Sequence, residues 1–166
     1  MSELVKEFPN LDIKHLTEIE EAASDVLFSS SYQKLKIYMQ HGDVSVYEHS
    51  IMVACRCLYY ADKSKDKIDR KLLIKSALLH DYFCYDWHTD KDKSGGKKHA
   101  WRHPAIAADN AIKDYGLTDK EENAIRSHMW PLGKKSLPRS KEAWILLIAD
   151  KDSAFKETFK DGKFKW

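Results

Sequence analysis

SALLHDYF, residues 76–83, closes an apolar run in which Leu72, Leu73, Ala77, Leu78 and Leu79 recur at helical spacing. His80 and Asp81 stand at its C-terminal end. Neighbours on a helix are about 100° apart, so both can reach one point beside the helix while Leu73, Ala77 and Leu78 hold the core side. A His-Asp pair there is a candidate metal grip. Alone the signal is weak, because the dipeptide arises by chance and a histidine at a helix C-terminus is already favoured by the dipole.

Working outward, the same periodicity covers most of the chain. On the N-terminal side, VYEHSIMVA (46–54) opens a helical segment over 46–61 with Ile51, Val53, Ala54 and Leu58 as its stripe, and His49 sits one turn before Met52 and Val53. On the C-terminal side, RHPAIAADNA (102–111) reads as a helix over 104–115, with Pro104 at its first position, Gly116 as its stop and His103 at its N-terminus. Thr118 and Glu121 form a capping-box pattern for a further helix that should end before Pro131, and IRSHMWPL (125–132) places His128 on the face of Ala124 and Ile125. A last helix starts near Ser140, and ILLIADK (145–151) puts Asp150 at the end of its apolar run. A carboxylate there is costly to bury unless paired or bound to metal. Weaker helical signals lie over 11–27 and 32–40, and no strand alternation stands out. The expected fold is all-α, a single domain over 1–166 with its core at about 42–155 and N-terminal helices from 11–40 packed on it.

Composition bounds the function. The chain has 166 residues, enough to bury roughly two thirds of its unfolded surface. Its 28 Lys and Arg against 26 Asp and Glu leave a formal charge of +2, which speaks against a nucleic-acid partner. No stretch reads as a signal peptide or membrane span, and Cys55, Cys57 and Cys84 read as small buried hydrophobes, so a reducing cytoplasm is expected. Whether a homo-oligomer forms is left open.

A histidine taken singly is more often a satisfied core or surface residue than a ligand. Jointly, His49, His80, Asp81, His103, His128 and Asp150 come from five helical segments that a bundle would turn inward. In order and context the five quoted motifs resemble the HD-domain superfamily, helical metal-dependent phosphohydrolases named for their adjacent His and Asp. The resemblance covers about 42–155. It implies that His49, His80, Asp81 and Asp150 hold one ion and that His103 and His128 hold a second, with Asp81 bridging. His80 and Asp81 would be the catalytic pair. Imidazoles and carboxylates without thiolate suit two divalent iron, manganese, cobalt, nickel or zinc ions.

Two such ions outweigh two aspartates, so an anionic substrate is expected, a small phosphorylated molecule whose ester is hydrolysed. Lys97, Lys98 and Arg102, just before His103, and His88 are candidate substrate-binding residues, although a solvated basic loop balanced by Asp90 and Asp92 explains the lysines as well. His15, His41 and His99 are left to structural or solvent roles. Some cyclic-dinucleotide phosphodiesterases of the superfamily follow His-Asp with Gly-Lys and carry Gly-Tyr-Pro; Tyr82-Phe83-Cys84 follows here, which disfavours that subgroup. The competing readings are a mixed-valent di-iron oxygenase, an activity found in other members, and a non-catalytic helical module with a structural metal.

Overall fold

The computed structural model describes residues 2–86, 88–90, 99–132 and 136–159. Lys97 and Lys98 lie outside the described residues. The elements run α1 (Glu3–Glu7), α2 (Ile13–Leu27), α3 (Ser30–Gln33), a 3-10 helix (Lys34–Ile37), β1 (Met39–His41), β2 (Val44–Ser45), α4 (Val46–Lys63), α5 (Arg70–Leu79), α6 (His99–Tyr115), α7 (Asp119–Ser127) and α8 (Lys141–Phe159).

The fold is helical, as the periodicity predicts, and α4 is its centre. Its stripe of Ile51, Val53, Ala54 and Leu58 is fully buried between α5, which contributes Leu73, Ile74, Ala77 and Leu78, and α8, which contributes Ala143, Leu146 and Ala149. Ala107, Ala108 and Ala111 bring α6 close to α7, whose Ala124 and Ile125 face back into the core. From the N-terminal side α2 lies on α5 and α4 and buries Leu16, Ile19, Val26 and Leu27. Cys55 and Cys57 are buried in α4, Cys84 is half-buried, and all three are free thiols.

Two sequence expectations need correction. The segment 32–40 is not one helix: α3 passes into a 3-10 turn and then β1, which pairs antiparallel with β2 around Gly42 at φ +55°. Strands of three and two residues are too short to show alternation, and the left-handed turn that joins them suits glycine. The helix expected from Pro104 starts instead at His99, so Pro104 lies inside α6. The rings of His99 and His103 pack on Phe83, and this tertiary contact outweighs the proline's local preference for the first position.

Candidate metal centre

Each element delivers its side chain for a local reason. Ser45 caps α4 with a full capping box, its hydroxyl accepting from the Glu48 amide while the Glu48 carboxylate accepts from the Ser45 amide. That fixes the first turn, which carries His49. At the other end of its helix, His80 is the C-cap of α5, still in the right-handed region, and Asp81 begins the departing turn. The turn is held by the Asn110 amide, which donates to the carbonyl of Tyr82 at 3.1 Å, and by the Tyr82 hydroxyl, which donates to Asp114 at 2.8 Å. His128 likewise caps the C-terminus of α7, and Asp150 faces inward from the middle of α8.

These side chains converge. Asp81 Oδ2 lies 3.7 Å from His49 Nε2 and 3.4 Å from His80 Nε2, and Asp150 Oδ1 lies 3.0 and 3.4 Å from the same two nitrogens. Asp81 Oδ1 points the other way, 3.2 Å from His103 Nε2 and 3.6 Å from His128 Nε2. One carboxylate therefore faces two separate imidazole pairs. Three overlapping sets, His49–His80–Asp81, His80–His128–Asp150 and Asp81–His103–His128, each have ligand atoms within 4.8 Å of one another, and all members are buried.

The proton arrangement fits cations at this place. His80, His103 and His128 each direct Nδ1 at a main-chain carbonyl, of Ala77 (2.7 Å), His99 (3.2 Å) and Ile125 (2.7 Å). A carbonyl only accepts, so Nδ1 carries the hydrogen and Nε2 presents a lone pair to the centre. Two such nitrogens, of His103 and His128, are 2.9 Å apart, and a third, on His80, is buried with no hydrogen-bond partner among the described residues, as is Asp81 Oδ1. Lone pairs facing lone pairs and carboxylate oxygens at such distances require a shared positive charge, which a divalent ion supplies.

Without an ion, protons carry that charge. Burial pushes the Asp81 and Asp150 carboxyls up, but the surrounding imidazoles overcome it and hold both well below the usual carboxylate range. Burial opposes charge on His49 as well, yet Glu157 and Asp150 on either side of its ring raise it well above the usual imidazole value. His128 goes the other way: burial and then the charges of His103 and His80 press it down to about 3.

Of the other expected residues, Arg102 and His88 are exposed, and the His88 amide donates to Asp86 in a tight turn. His99 is not solvated. It is 7 % exposed, stacked on His103 at 4.8 Å, and its Nδ1 is 3.1 Å from the Tyr85 hydroxyl. His15 is structural, paired with Asp62 at 2.8 Å. Two further residues join the cluster that the sequence does not announce. Gln40 on β1 donates from Nε2 to Asp81 Oδ2 at 2.6 Å, and Glu157 on α8 accepts from His49 Nδ1 at 2.7 Å. Glu157 stands seven residues after Asp150, two turns on and on the same face, a spacing that could have revealed it.

The HD-domain family model matches residues 46–154, more than half of the chain and the span that carries all six converging side chains. The chain belongs to the HD-domain family. The HD superfamily comprises metal-dependent phosphohydrolases together with other activities, and its members bind divalent metals. No curated protein and no solved structure matches the chain.

Proposed function

We propose that this HD domain hydrolyses a phosphate ester of a small metabolite or nucleotide, using a centre of two divalent transition-metal ions. The observation that carries the reading is the double-faced Asp81, with His49 and His80 at one oxygen, His103 and His128 at the other, and Asp150 beside His49 and His80. His49, His80, Asp81 and Asp150 would hold one ion, and His103, His128 and Asp81 the second. Ions held there would supply the Lewis acidity that polarises a phosphoryl group and makes water nucleophilic near neutral pH.

The chain itself supplies the surroundings. The imidazoles of His80, His103 and His128 are locked in one tautomer by main-chain acceptors and that of His49 by Glu157, so they are oriented before any ligand arrives. Two aspartates offset only part of the charge of two ions, which leaves the centre attractive to an anion. Arg102, adjacent to His103 in sequence and exposed, would meet the non-reacting part of such a substrate, with Lys97, Lys98 and His88 as further candidates.

The test is a panel of phosphomonoesters, phosphodiesters and nucleotides, offered to protein reconstituted with manganese, iron or cobalt. Release of phosphate or of the alcohol by the wild type, abolished in Asp81→Asn and retained in anaerobic manganese buffer, supports hydrolysis and argues against the oxygenase. Silence across the panel with every metal contradicts it.

A further inference from the structure

The four histidines differ in what stands behind them. Three donate Nδ1–H to neutral main-chain carbonyls, but His49 alone donates to a carboxylate, Glu157, at 2.7 Å. The Glu157 side chain is fully buried, and its Oε2 has no hydrogen-bond partner among the described residues. A buried carboxylate satisfied on one oxygen only is expensive unless a positive charge lies within reach. The other nitrogen of the ring it touches lies 3.0 Å from Asp150 Oδ1 and 3.7 Å from Asp81 Oδ2. Negative charge is therefore concentrated on this half of the cluster, where Glu157 adds to Asp81 and Asp150, while His103 and His128 share Asp81 and His128 also stands within 4.8 Å of Asp150. Glu157 lies beyond the family match, which ends at residue 154, and is placed by the extension of α8 to Phe159.

We infer that Glu157 is a positioning residue: it fixes His49 with Nδ1 protonated and strengthens Nε2 as a ligand, so that the His49 half binds its divalent ion more tightly than the His103 half. The inference rests on the reading of the cluster as a two-ion centre. Carboxylate support behind a ligating imidazole raises its basicity and holds its ring, and losing such support typically weakens metal binding about 10- to 100-fold. Glutamine at this position keeps the size and an accepting oxygen but removes the charge. Aspartate keeps the charge on a shorter stem.

Metal-stripped wild type, Glu157→Gln, Glu157→Asp and His103→Ala are titrated with manganese, counting free ion by its paramagnetic resonance. Wild type should show a tighter and a weaker class, and His103→Ala should lose only the weaker. Glu157→Gln should weaken only the tighter class, by about 10- to 100-fold, with part of the loss recovered in Glu157→Asp. In the zinc-loaded form, the Nδ1 proton of His49 should move upfield in Glu157→Gln while those of His80, His103 and His128 stay in place. Loss of the tighter class in His103→Ala, an unchanged tighter class in Glu157→Gln, or equal weakening of both classes with a parallel fall in thermal stability overturns the positioning role and leaves the two-ion centre standing. A wild type that takes up no manganese, iron, cobalt or zinc withdraws the centre itself and the inference with it.

Discussion

Asp81 carries the most consequential contacts of any single residue, and one of them comes from a residue without a charge. The Gln40 amide donates to Asp81 Oδ2 from the hairpin, holding the carboxylate with one oxygen toward each imidazole pair. A hydrogen bond to a buried charged group contributes about 1.5–3 kcal/mol, so Gln40→Ala should destabilise the metal-free protein by that amount in a denaturant titration, and an unchanged midpoint would refute the contact's role. Ionisation of the histidines shapes stability as well. His99 and His128 are pressed down to about 4 and about 3, chiefly by burial and then by neighbouring imidazolium charge, so below the usual 6.5 the unfolded chain takes up protons that the folded chain refuses. Folding should weaken as pH falls from 6.5 toward 4. His49 and His80 are raised, so their contribution is full below 6.5 and is lost as pH rises through their folded values. Metal-free protein should thus be most stable near pH 6.5, and added metal should rescue the alkaline side, because ligation takes the unprotonated nitrogen. Denaturation across pH 4–9 with and without manganese checks this; a metal-free protein whose stability climbs steadily to pH 9 would contradict it. Six of the converging residues were legible in sequence because each lies on or beside an apolar stripe. For His99 the sequence leaves a structural and a solvent role open, and the packing of Phe83 and Tyr85 against its ring decides for the structural one. Gln40 carries no sequence signal, since an amide on a two-residue-turn hairpin looks like any surface glutamine.

Among the elements, the caps set where the ligands stand. The boxes at Ser45–Glu48 and Thr118–Glu121 each satisfy amides that a helix start leaves open. Thr118→Ala should cost about 1 kcal/mol in chemical denaturation and leave metal affinity as it was, because His128 stands at the opposite end of α7. Ser45→Ala should cost about the same in stability but also loosen metal binding, because His49 is in the turn that this cap orders. Equal metal affinity in the two variants would show that cap and ligand are uncoupled. The Thr118 cap was readable in sequence, as were α4, α5, α7 and α8 to within a few residues. The start of α6 was not, because Pro104 has a strong local preference and the packing that overrides it comes from residues 83–85, outside the helix itself.

Across the whole molecule, α4, α5, α6, α7 and α8 are joined at one buried cluster, so ion binding should stabilise the fold as a unit. A ligand at 100 times its dissociation constant adds about 2.7 kcal/mol, which for a chain of this length corresponds to a rise in Tm of roughly 5–10 °C. Scanning calorimetry of chelator-treated and manganese-loaded protein tests this, and superimposable transitions would contradict it. The all-helical architecture was legible because long apolar periodicities dominate the chain, while the short hairpin that closes over Asp81 falls below the length at which a pattern can form. Among the described residues, no helix is long and apolar enough to cross a membrane. Metal quantification on protein purified without chelator tests most directly whether the six side chains act as a two-ion centre. Two equivalents of a divalent transition metal per wild-type chain, lost in Asp81→Ala, is the predicted result; a metal-free wild type that takes up no ion on reconstitution and melts at the same temperature with or without added metal would contradict it.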